Sequence, residues 1–138
     1  MTRRTVLLAL TLPALLPAAE EFAVITRKDN GHPITKAQVK KLLLGESANW
    51  PGGGKITLFL GPVGEASRAA ALKQFVGMTE TDYKRALLHF AFIGQADGLP
   101  STLTSTAAVC LAVEHTNGSV GIVPVTELKE SLKKLDIE

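Results

Sequence analysis

Three short β-branched, apolar runs recur along the chain with helical periodicity between them, and this alternation restricts the fold more than any other feature. The runs are FAVIT (22–26), KITLFL (55–60) and SVGIVPV (119–125). Each has strand length and is bounded by polar, Gly or Asn residues. KITLFL is apolar at most positions and reads as a strand buried on both faces. After the first run, Thr35 N-caps KAQVKKLLLG, where Val39, Leu42 and Leu43 share one helical face and Gly45 closes the helix. Three helical segments separate the second and third runs. One spans roughly residues 65–76, with Ala69, Leu72, Phe75 and Val76 on its core side. The next is ETDYKRALLHFAFIG, opened by Thr79 with Asp82 in capping-box spacing, and carrying Tyr83, Leu87, Phe90 and Ala91 along one side. The last begins at Ser105 or Thr106, runs through His115 and is broken by TNG. QADGLPSTL reads as a loop or short extended piece, and the closing twelve residues as a polar helical turn with an edge strand near Leu135. Strands joined by helical crossovers predict an α/β fold, a central mostly parallel or mixed sheet of about four or five strands flanked by helices.

The first residues stand apart from this pattern. In MTRRTVLLALTLPALLPAAEE a basic start, Arg3 and Arg4, precedes an apolar run from Val6 to Leu16 that is too short to span a bilayer. Small residues then lead to Glu20. Residues 1–19 read as a signal peptide cleaved near Ala19, which predicts a periplasmic or secreted protein, with residues 20–138 as one domain and no stable membrane span after cleavage. TVLLAL could also open a buried helix, but Pro13 and Pro17 punctuate the run. The pair of arginines fits the general and the twin-arginine export routes alike.

Charge and residue types exclude several classes of chemistry. The net charge is +2; loss of Arg3 and Arg4 leaves 13 of the 15 basic residues against 13 acidic ones, a neutral chain. Five Phe, one Tyr and one Trp without a basic stripe do not make a nucleic-acid surface. His32, His89 and His115 are widely spaced and lack the partners of a metal site. His89 reads as a residue at the core edge, and His115 as a cation at a helix C-terminus. Cys110, the only cysteine, cannot form an internal disulfide and sits among Ala107, Ala108, Val109 and Leu111 as a small buried apolar residue. No Gly-x-Ser-x-Gly elbow is present. The reading is a non-enzyme with no catalytic residue, no metal and no cofactor.

Two glycine-rich stretches remain. WPGGGK precedes a strand, whereas a phosphate-cradling P-loop follows one, so it reads as a turn. LGPVGEASR has the topology of an anion site: it leaves a strand and opens a helix, whose first backbone N–H groups face outward. Gly64 allows the turn, the N–H groups of Ala66, Ser67 and Arg68 can donate, the Ser67 hydroxyl can donate, and Arg68 adds a positive charge. Glu65 places a carboxylate where the anion would sit, and a first-turn Glu also favours a helix with no ligand at all.

Three motifs in order carry a family resemblance. KAQVKKLLLGESANWPGGGKITLF resembles a segment of the phosphate-binding periplasmic proteins, the substrate-binding components of phosphate ABC transporters: a helix, a Leu/Phe-x-Gly step, a Trp, a Gly-rich turn and a strand. GEASRAAALKQFVG stands where that family has Gly-Ser-Gly-Thr-Arg and its helix, and HTNGSVGIVP resembles its Thr-Pro-Gly-Ala-Ile-Gly-Tyr-Val step. The resemblance covers about residues 22 to 125 and implies one lobe of a type II periplasmic binding fold, with phosphate or another small anion as ligand. Members close two lobes on the anion, whereas this chain has length for one. Their turn supplies an Arg and an Asp where this chain has Gly61 and Val63, and their Ser, Gly and Thr become Glu65, Ala66 and Ser67. Only Gly64, Ser67 and Arg68 keep their character. The expected function is therefore a non-catalytic solute-binding-like lobe with at most weak anion binding. The alternative is an interaction module that uses the former cleft face to form a homodimer or to hold a protein partner.

Overall fold

A computed structural model describes residues 22–94 and 99–137; the expected signal peptide lies outside the described residues. The elements in chain order are β1 (Phe22–Arg27), α1 (Lys36–Leu43), β2 (Thr57–Leu60), α2 (Ala66–Phe75), α3 (Glu80–Phe92), β3 (Ser101–Thr102), α4 (Thr106–His115), β4 (Ser119–Pro124), a 3₁₀ turn (Val125–Glu127) and β5 (Leu132–Lys134). The strands form one mixed sheet in the order β3-β2-β4-β1-β5. Strand β2 is parallel to β3 and β4, whereas β1 is antiparallel to β4 and β5, with Phe22 opposite Pro124 and Ile25 opposite Lys134. Five strands in a mixed sheet flanked by helices is the architecture the alternation predicts.

Side-chain alternation divides the core between the two faces of this sheet. On one face Val24, Leu58, Leu60, Val120 and Ile122 pack with Val39, Leu42 and Leu43 of α1 and Ala71, Leu72 and Phe75 of α2. On the other, Ala23, Ile25 and Val123 pack with Val109, Cys110 and Val113 of α4. Gly121 sets the depth of α4: a Cβ there would lie 2.6 Å from Val109 Cγ1 and 2.9 Å from Val113 Cγ2. Cys110 is fully buried, and burial pushes its thiol up from its ordinary range.

Local chemistry sets most boundaries. Thr35 and Gln38 form a reciprocal capping box on α1, and Ser105 caps α4 by accepting from the Ala108 N–H at 3.1 Å. The glycines after Trp50 reverse the chain with positive φ at Gly53 and Gly54, and the Trp50 indole donates to the Gly118 carbonyl at 3.2 Å, tying this turn to the start of β4. The edge strand expected near Leu135 is β5, which ends one residue before it; the Leu135 N–H then donates to the Val24 carbonyl at 2.7 Å.

Three expectations need correction. Strand β2 is not buried on both faces: Leu58 and Leu60 are buried, but Thr57 is exposed and Phe59 only half-buried, because its neighbour on the outer side is the two-residue β3. In α2, Ala69 is exposed; the inward side is Ser67, Arg68, Ala71, Leu72 and Phe75, turned to bury a guanidinium. In α3 only Tyr83 of the expected stripe is buried, with Leu87 and Phe90 half-buried and Ala91 and His89 exposed. That helix rests chiefly on α2 rather than on the sheet, so one turn of it is enough to reach the core.

Candidate functional site

The turn from which anion binding is expected lies between the last residue of β2 and the first turn of α2. Gly61 and Pro62 leave the strand, the Glu65 N–H donates to the Pro62 carbonyl at 3.1 Å, and Gly64 takes φ +93°, a conformation side-chain-bearing residues rarely adopt. Gly64, Ala66, Ser67 and Arg68 thus stand together at the helix N-terminus.

Their donors are turned inward. Glu65 is the N-cap residue, with extended backbone (φ −74°, ψ 136°). Its Oε1 accepts from the Ser67 N–H at 3.1 Å and the Arg68 N–H at 3.2 Å, and also takes the Ser67 hydroxyl. A side-chain carboxylate therefore occupies the position an external anion would need, and it is stabilised there by the same N–H groups and helix dipole. Ala66, which is exposed, carries the one first-turn N–H of the three candidates that Glu65 does not take.

Arg68 is committed elsewhere. Its side chain is only 5% exposed. Nε and Nη2 grip the two oxygens of Glu80 at 2.9 and 2.7 Å, a bidentate pair. Nη1 donates to the Gly61 carbonyl at 3.0 Å and to Thr102 Oγ1 at 2.9 Å. The guanidinium also lies 5.8 Å from the centre of the Tyr83 ring, and the Tyr83 hydroxyl donates to the Leu43 carbonyl at 2.5 Å. One side chain thus links the end of β2, α2, α3 and β3, and touches the ring that reaches back to α1. Nothing in the sequence pairs Arg68 with Glu80, twelve residues away on a different helix.

Burial pushes the Tyr83 hydroxyl well above its ordinary range, with Arg68 pulling it down and Glu80 pushing it up by smaller amounts. A phenol whose folded pKa is raised adds stability that is complete below the unfolded value of about 10 and is lost as the pH climbs above it. Because Tyr83 is the only tyrosine, absorbance at the tyrosinate band reports this group alone. The expected result is no ionisation near pH 10 in the folded protein, and a tyrosinate signal that rises only together with unfolding. Reversible ionisation near pH 10 with the fold intact would contradict the buried placement.

Among the described residues, no group of three or more His, Cys, Asp and Glu could hold a metal ion, and no helix is long and apolar enough to cross a membrane.

No protein-family model matches the chain, and no curated protein matches it. Solved structures do share its fold. A Clostridium perfringens protein solved with bound phosphate, described as a phosphate ABC transporter substrate-binding protein, superposes with a TM-score of 0.63 at 18% identity over 84% of this chain and 44% of that one. An ABC-type phosphate transport receptor from Vibrio cholerae gives 0.61 at 16% identity over 84% and 45%. PstS from Borrelia burgdorferi gives 0.59 at 18% over 85% and 47%. The chain thus spans less than half the length of each, and its fold is that of one lobe of these phosphate-binding proteins.

Proposed function

We propose that the chain is an exported, non-catalytic solute-binding-like lobe that holds a small anion such as phosphate weakly, using the turn of Gly64, Ala66, Ser67 and Arg68. In this reading residues 1–19 direct export to the periplasm or medium and residues 20–138 form the working domain. The observation that carries it is the Glu65 carboxylate on the Ser67 and Arg68 N–H groups. An incoming anion must displace a tethered competitor from those donors. It also finds the Arg68 charge already matched by Glu80. The fold shared with phosphate-binding proteins supports the class of ligand, and the occupied donors support the low affinity. Calorimetry with phosphate and with sulfate tests this. Binding no tighter than about millimolar is expected, near −4 kcal/mol; a micromolar constant would contradict it.

A second reading, an interaction module, is favoured by one specific feature. Toward the C-terminal end of α3, Leu88 and Phe92 are 64% and 92% exposed, and Ile93 beyond it is 48% exposed. Apolar groups clustered on a surface mark interfaces more often than chance exposure does. The cluster lies on α3, whereas the turn itself contributes exposed Val63. Under this reading, sizing at rising protein concentration gives a dimer or a complex with a co-purifying partner, and Phe92→Ser returns the protein to monomer. A strict monomer at high concentration with no partner counts against it.

A further inference from the structure

A groove of about 580 Å³ runs beside α2, away from the anion turn and used by neither reading above. Its volume is within the range of small-molecule sites, about 300–1,000 Å³. Sequence order explains why it exists. Helix α2 covers β4 and β1, while beyond them the sheet ends in β5 and the run that follows it, and among the described residues no helix packs extensively on this face of that margin. Phe22 and Ile137 are half-buried there, and Phe75 and Leu135 close the floor, with the Phe22 and Phe75 rings edge to face at 5.7 Å.

The charged residues of the lining are of one sign. Lys73 comes from the last turn of α2 and Lys134 from the end of β5. Among the described residues, neither lysine side chain has an ion pair or hydrogen bond, and no acidic residue lines the groove. Each has an ordinary reason for its place, a cation at a helix C-terminus and a charge on an edge strand. The uncovered apolar floor between them has no such reason. A concave apolar surface with cations alone at its rim concentrates molecules that combine an apolar body with a negative head.

We propose that this groove is a binding site for a small amphipathic anion, whose hydrocarbon body lies on Phe22, Phe75, Leu135 and Ile137 and whose carboxylate or sulfonate meets Lys73 and Lys134. It is separate from the anion turn: Lys73 is six residues along α2 from Ser67, about 9 Å by helix rise, and the lysines play no part in holding Glu65. The floor selects against inorganic phosphate, which has no apolar surface to bury. The lysines select against neutral hydrocarbons.

Titration of the purified protein with dodecanoate, followed by calorimetry and by displacement of anilinonaphthalene sulfonate fluorescence, tests the site. One saturable site is expected, with dodecanol at least tenfold weaker than dodecanoate. The pair of changes Lys73→Gln and Lys134→Gln should weaken dodecanoate at least tenfold while leaving the melting temperature unchanged. Phosphate should not displace the probe. Equal binding of dodecanol and dodecanoate, unchanged affinity in the double variant, displacement by phosphate, or absence of saturable binding would each overturn the proposal. Should the double variant melt early, amide shifts in the wild-type protein decide: dodecanoate must move residues 73–75 and 134–137, and movement confined to residues 64–68 overturns the assignment.

Discussion

Arg68→Ala is expected to lower the melting temperature by about 10 °C or more. The guanidinium is 5% exposed and its partner Glu80 is 29% exposed, so the pair is largely withdrawn from water. Removing one member leaves the Glu80 carboxylate, the Gly61 carbonyl and the Thr102 hydroxyl without the donors they now have. Stripping one partner from a buried pair costs about 3–5 kcal/mol, and the partial exposure of Glu80 puts this case at the lower end. At roughly 4 °C per kcal/mol for a domain of this size, the shift is easily read in a thermal melt. Arg68→Lys keeps the charge but not the fork, and should fall between the two. The double change Arg68→Met with Glu80→Leu should recover much of the loss, because neither charge is then left alone. If Arg68→Ala melts like the wild type, the network does not hold the helices together, and Arg68 is available for ligand after all.

Glu65→Ser has the opposite profile, a large effect on binding and a small one on stability. Serine is itself a favourable N-cap, so α2 keeps a cap and stability should change by less than about 0.5 kcal/mol. The charge at the turn changes completely. Two like charges about 4 Å apart repel by roughly 1 kcal/mol in water and about 4 kcal/mol near a protein surface. Removing the carboxylate should therefore tighten phosphate at least tenfold, measured by calorimetry against the wild type. Unchanged affinity would show that Glu65 is a cap and nothing more.

The fold was readable from the sequence wherever local chemistry decides structure. Thr35, Thr79 and Ser105 announce their helices because their side-chain oxygens are N-caps in fact, accepting from Gln38, Asp82 and Ala108. The β-branched runs become strands because two faces of one sheet need them. What the sequence hid depends on contacts between distant segments. Periodicity puts Ala69 inside α2 and a stripe inside α3. The actual orientation follows from burying Arg68 against Glu80 and Tyr83, which join residues on two helices. The candidate turn was legible in position, from a strand, a Gly-Pro step and a helix. Its donors were legible in kind, and so was the intruding carboxylate of Glu65. The commitment of Arg68 was not, since an arginine at the start of a helix looks the same in sequence whether it faces a ligand or a glutamate. The groove beside α2 left no mark either, because it is made by a margin of the sheet that, among the described residues, no helix covers on that face.

The amide resonances of Ser67 and Arg68, followed in the wild-type protein as phosphate is added, report on the turn most directly. With Glu65 holding both N–H groups, the two resonances should keep their positions through the micromolar range and begin to move only as phosphate reaches about 1 mM and above. Joint movement of both to saturation at micromolar phosphate would mean that the carboxylate yields easily and that the turn is an open anion site.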